Sequence, residues 1–74
     1  MKLNLNDTIF YLVSKDQKLI EILYDLGFHE ITKPGMLHTV GRFMTLKTGA
    51  SLRKIDMKII IDTLIQKGYE IEGE

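Results

Sequence analysis

"LYDLGFHEI" occupies Leu23–Ile31 and "LIQKGYEI" occupies Leu64–Ile71. Each sets Leu four residues before a Gly, an aromatic residue directly after it, and Glu–Ile shortly beyond. Two readings compete: a duplicated binding box, or two helices that stop in the same way. Upstream of Gly27, Leu19, Ile22, Leu23 and Leu26 fall at i, i+3, i+4, i+7; upstream of Gly68, Met57, Ile60, Ile61 and Leu64 do the same. A helix commonly ends by passing through the left-handed conformation, which Gly reaches without steric cost. The residue after that Gly then packs back on the one four positions before it, pairing Phe28 with Leu23 and Tyr69 with Leu64. The phrases read as helix stops, with Gly27, Phe28, Gly68 and Tyr69 as structural caps.

Working outward, Leu5, Ile9, Leu12 and Val13 mark one face of a first helix. Asn6 or Asp7 caps its start; with Asn6 as cap, Leu5 and Phe10 take the two positions of a hydrophobic staple. The second helix begins either at Asp16 or one turn earlier, at a capping box of Ser14 and Gln17. Pro34 suits the first turn of a third helix, where its missing N–H is no loss. Met36, Leu37, Val40, Phe43 and Met44 are expected to form that helix's buried face. "TLKTGAS" (45–51) reads as a loop running into a short turn at Leu52–Ile55. The last helix starts at Asp56, with Ile55 and Ile60 placed as a staple. Its Ile59–Ile61 run has strand propensity, but the apolar stripe extends too far at helical spacing for a strand. The expected fold is all-α: residues 1–74 as a single domain of four or five short, roughly orthogonally packed helices.

Composition narrows the class. A chain of 74 residues has room for one domain, and 45% apolar with 27% charged residues is globular in type. There is no cysteine, hence no disulfide, thiolate ligand or thiol nucleophile. The longest apolar run is far too short to cross a bilayer, and "MKLNLNDT" has no secretory core, so a cytoplasmic location is expected. Ten basic residues balance ten acidic ones, leaving no overall pull toward nucleic acid or membrane. Locally, Arg42, Lys47, Arg53, Lys54 and Lys58 face a single anion, Asp56.

Few residues suggest chemistry. His29 and His38 are the two histidines, and they lack the i, i+4 spacing of a helical metal site. A metal would need the fold to bring them together with a carboxylate such as Glu30. His38 and Arg42 lie one helical turn apart, beside Thr39, and suit either an anion or a solvated polar face. No Ser–His–Asp order, phosphate loop or H-E-x-x-H is present. Met1, Met36, Met44 and Met57 offer adaptable apolar surface, although Met at helical spacing is usually core. Gly41 costs about 1 kcal/mol against Ala inside a helix, which points to close approach of another backbone there.

"DTIFYLVSKDQKLIEILYDLGFHEI" followed by "KPGMLHTVGRFMTLKTGASLRKIDMKIIIDTLIQKGYEI" resembles the family named domain of unknown function 1858. The resemblance runs from about Leu3 to Ile71, and its most specific pieces are "LGFHEI" and "MLHTVGRFMT". It implies a short helical domain of a kind found alone or N-terminal to hemerythrin-like or PAS-containing regions. More distantly, the chain is similar to the N-terminal domain of iron–sulfur cluster repair proteins. Many members carry a C-x-x-C-P-like pattern after Gly–Phe–His; Glu30 to Pro34 here keeps only the proline. Any redox or metal role of those cysteines is therefore in question for this chain.

The expected function is a non-enzymatic accessory module that docks onto a partner protein or onto itself. The resemblance implies a hemerythrin-like or sensor protein as partner. Met36, Leu37, His38, Arg42, Phe43 and Met44 are the expected contact residues, with no cofactor. One alternative is a small-ligand or metal sensor using His29, His38 and Arg42. Another is weak nucleic-acid binding through Arg42–Lys58, although nucleic acid is not the expected partner.

Overall fold

Thr8 begins the first helix. It sits in extended backbone, and its side-chain oxygen accepts the Tyr11 N–H at 3.2 Å, so α1 runs Ile9–Lys15. This corrects the expected cap at Asn6 or Asp7. Asn6 instead donates its N–H to Asn4 Oδ1 at 2.8 Å, in a turn closed by Asp7 N–H on the Asn4 carbonyl. The staple falls with it, and Leu5 enters the core directly. Asp16 caps α2 (Lys18–Leu26) by accepting the Lys18 N–H at 3.0 Å. Ser14 donates to the Tyr11 carbonyl, so no capping box forms there.

The computed structural model describes residues 2–74; the expectation for Met1 lies outside the described residues. After α2 come α3 (Pro34–His38), a 3-10 turn (Val40–Arg42), α4 (Leu46–Arg53) and α5 (Met57–Gln66). Five helices make the fold mostly α. A feature not anticipated is a two-stranded parallel sheet joining β1 (Lys2–Asn4) to β2 (Glu70–Glu72), with Leu3 opposite Ile71. Both strands alternate polar and apolar residues, Lys2-Leu3-Asn4 and Glu70-Ile71-Glu72, but three residues are too few for that alternation to stand out.

The segment read as a loop is α4. Thr45 and Thr48 form a reciprocal capping box, Thr45 Oγ1 accepting the Thr48 N–H and Thr48 Oγ1 the Thr45 N–H. Leu46, Gly49 and Ala50 then face inward at i, i+3, i+4. Thr serves in place of the usual Glu or Gln at the third helical position, which hid the signal. α5 starts as expected: Asp56 accepts the Lys58 N–H at 2.9 Å, and Ile60 and Leu64 are buried.

α1 packs on α2, α3 and the 3-10 turn, while α5 packs on β2. Thr8 and Thr45 form an antiparallel bridge that ties the start of α1 to that of α4. The core runs from Leu3 and Leu5 through Ile9, Leu12, Leu19 and Leu23 to Leu46, Ile60 and Leu64, with Phe28 as its largest fully buried side chain. Each such residue contributes about 1.5–3 kcal/mol. The Cα radius of gyration, 10.8 Å, is that of a close-packed chain of this length.

Candidate functional site

Gly27 stops α2 at φ 119°, and Phe28 N–H closes on the Leu23 carbonyl at 2.9 Å. That turn drives the Phe28 ring under the next segment. Thr32, itself buried, donates its hydroxyl to the Phe28 carbonyl at 2.8 Å and fixes the loop that follows. Pro34 then opens α3, whose single short stretch ends where Thr39 donates its hydroxyl to the Gly35 carbonyl. The continuous third helix expected across Phe43 is thus broken at Thr39 and tightened into the 3-10 turn.

The break re-aims the apolar residues. Leu37, 7% exposed, is core rather than a contact residue. Phe43, expected on the buried face, stands 87% exposed. Gly41 is crowded by side chains of the same molecule rather than by the close approach of another backbone: a Cβ there would meet Leu37 Cδ1 at 3.3 Å, with Phe10 Cβ and the Met36 carbonyl at 3.7 Å. Val40 and Met44 lean on the core from one side.

Between this segment and α4 lies a groove of about 240 Å³. Phe28, Ile31, Met36, Val40, Met44 and Leu52 wall it, and Glu30 and Arg53 stand on its rim. Gly49 lets its floor form: a Cβ there would fall 2.9 Å from the Phe28 ring and 3.2 Å from Met44 sulfur. Met36 and Met44 are expected contact residues that the fold does bring together here. Ile31 was missed because it lies in the turn before Pro34, outside any apolar stripe, and Leu52 and Arg53 because α4 was read as a loop. The stripe Leu46, Gly49, Ala50 would have revealed it, since a helix there turns Leu52 outward, 69% exposed.

His38 and Arg42 are placed elsewhere. Both are exposed and both cover Phe10, the His38 ring at 5.3 Å between centroids and the Arg42 guanidinium 4.4 Å above the ring. Arg42 Nε also donates to the His38 carbonyl at 2.8 Å. These are internal contacts that anchor the 3-10 turn on α1. His29 packs at a tilt against Tyr24, with centroids 4.4 Å apart. The two histidines line separate depressions, His29 with Glu21 and Asp25, His38 with Ser14 and Gln17. Among the described residues no three His, Asp or Glu side chains gather closely enough to hold a metal ion. A larger depression, about 520 Å³, lies beside Leu5 and Ile61, but Lys47, Lys58, Asp62 and Glu74 also wall it. Its Lys47 is occupied, donating to the Gly73 carbonyl at 2.6 Å.

The model of the family described as domain of unknown function 1858 matches residues 3–61. The chain belongs to this family. It is also similar, at 36% identity and a TM-score of 0.94, to the crystal structure of a conserved domain protein from Streptococcus pneumoniae TIGR4. That match covers 99% of this chain and 92% of the other. No curated protein matches the chain. Among the described residues, no helix is long and apolar enough to cross a membrane.

Proposed function

We propose that the domain is a non-enzymatic docking module, which holds a partner protein, or a second copy of itself, on the groove between the 3-10 turn and α4. The observation that carries this reading is the groove's apolar wall, open to solvent beside Leu52 and next in sequence to the protruding Phe43. A large aromatic side chain so exposed adds little to folding, whereas contact with a partner would remove it from water. The methionines suit the purpose, because their flexible thioethers adapt to an incoming side chain. Each histidine packs at a tilt against an aromatic ring of its own chain, His38 on Phe10 and His29 on Tyr24, and this structural use favours binding over catalysis. The partner class that the resemblance implies is a hemerythrin-like or sensor protein. On this reading the domain works in the cytoplasm, with neither membrane nor nucleic acid as its target.

Titration calorimetry against a hemerythrin-like protein from the same genome tests the proposal, with sedimentation of the chain alone testing self-docking. Phe43→Ala and Leu52→Asp should each weaken the contact by roughly tenfold while the helical signal stays intact. Leu37→Asp is the contrasting control, expected to unfold the domain because that side chain is core. An interaction indifferent to both surface changes would sink the proposal.

A further inference from the structure

Resting on the docking reading, we infer that the groove takes a segment of a partner protein in which a large apolar side chain lies next to an aspartate or glutamate. The two charged residues on its rim are not equivalent. Glu30 is already met by Lys33, 3.5 Å away, and that is the one ion pair among the described residues. Arg53 therefore has no carboxylate of its own. Asp56, the sole anion between Arg42 and Lys58 in the sequence, makes no ion pair with it and turns one oxygen to the backbone N–H of Lys58. Lys54, directly after Arg53, is exposed as well, whereas Arg42 is occupied with Phe10 and the His38 carbonyl. The α4 side of the groove thus sets Arg53, which has no ion-pair partner, against six apolar walls.

That arrangement selects among occupants. A purely apolar segment would strip water from Arg53 and return nothing. A segment with a carboxylate beside its apolar anchor restores the lost hydrogen bonds, bidentately in the best geometry. A basic segment is repelled. A second copy is disfavoured on the same ground, since a two-fold contact centred on the groove would gather the surplus cations of both chains into one interface. Nucleic acid could use the cations, but it leaves the apolar walls uncovered.

The experiment is selection from a display library of random short peptides on the wild-type domain, followed by anisotropy measurements on synthetic copies. Enriched peptides should pair Leu, Phe or Met with a neighbouring Asp or Glu. Arg53→Glu should weaken them by up to roughly fivefold, added salt should act in the same direction, and versions with Lys in place of the acid should prefer Arg53→Glu. Leu52→Asp, with Leu52→Ala as a second variant in case the first fails to fold, should weaken all of them. Peptides that bind wild type and Arg53→Glu alike, yet need Leu52, would overturn this inference and leave the docking reading standing. No enrichment on wild type over the Leu52 variants would overturn both. A dimer of the chain that is lost on Leu52→Asp would name a second copy as occupant, and this inference would fail.

Discussion

The two helix ends at Gly27 and Gly68 share a backbone and differ in everything around it. Gly27 sits at φ 119° and Gly68 at φ 100°. In each, the next residue returns its N–H to the carbonyl of the Leu four positions before the Gly, at 2.9 and 3.0 Å. Around Gly68 nothing lies within 4 Å of where a Cβ would be, whereas at Gly27 Ile55 Cδ1 is 2.9 Å away. Ile55 itself follows a third stop, at the end of α4, where Lys54 takes the left-handed conformation at φ 57°. One helix end is therefore packed into another, and the other is a free-standing turn that hands the chain to β2. A shared phrase specifies a shared local conformation; what the phrase is for depends on what the fold presses against it.

The largest expected effect separates the two aromatics that follow. Phe28 is fully buried, floors the groove and touches the space left by Gly49. Phe28→Ala should cost about 3–5 kcal/mol, as large core truncations do. A domain this small has little more than that in reserve, so urea unfolding should find it largely unfolded. A loss below about 1 kcal/mol would mean that the groove's floor is not part of the core.

The glycines come next. Gly68→Ala should cost about 1 kcal/mol, the strain of a left-handed alanine alone. Gly27→Ala carries the same strain plus the crowding of Ile55, and should lose about 2 kcal/mol or more. The comparison is sharpened by Ile55→Val, which deletes the crowding methyl. Combined with Gly27→Ala it should recover part of the loss, a coupling that a double-mutant cycle reads directly. Equal costs at the two glycines, with no coupling to Ile55, would break the distinction between them.

These contrasts also show where a sequence informs and where it stops. The helix ends at Gly27 and Gly68 were readable because Gly, Leu and an aromatic are placed by local backbone chemistry, and the apolar stripes of α1, α2 and α5 were readable because a helix faces one way. α4 escaped because its cap is Thr–Thr and two of its three buried residues are Gly and Ala, small enough to pass for a loop. The sheet escaped because three-residue strands gain their order from tertiary pairing of the chain's two ends. Of the expected contact residues Met36 and Met44 do line one groove, but the helix expected to present them was drawn wrongly. A single long helix from Pro34 would have made Phe43 core and left Leu37 in dispute. The break at Thr39 decided both, through a side-chain bond to a backbone carbonyl that competes with helix continuation.

The smallest expected effect concerns the second aromatic, and it depends on pH. Tyr69 is nearly buried, and its hydroxyl donates to Asp16 Oδ2 at 2.6 Å, joining the C-terminal stop to the elbow between α1 and α2. That hydrogen bond holds the Asp16 carboxyl below the usual carboxylate value, helped by the Lys18 N–H. Burial, followed by the same bond, pushes the Tyr69 hydroxyl up from 10.0 to about 12. The two shifts act at opposite ends of the pH scale. Because Asp16 is depressed in the fold, its contribution is present above the ordinary carboxylate value and lost as pH falls toward its folded value. Because Tyr69 is raised, its contribution is present below pH 10.0 and lost as pH climbs from 10.0 to about 12. Tyr69→Phe keeps the ring in place and removes only the hydroxyl. The melting temperature should fall slightly at neutral pH, and the variant should lack the alkaline decline that Tyr69 adds to the wild type. Its acid decline should shrink as Asp16 returns toward the ordinary value. Phe28, with no polar tip, has no counterpart to this behaviour. Parallel melting curves for wild type and Tyr69→Phe across both limbs would show that the hydroxyl bond to Asp16 carries no weight, and that the two stops differ in packing alone.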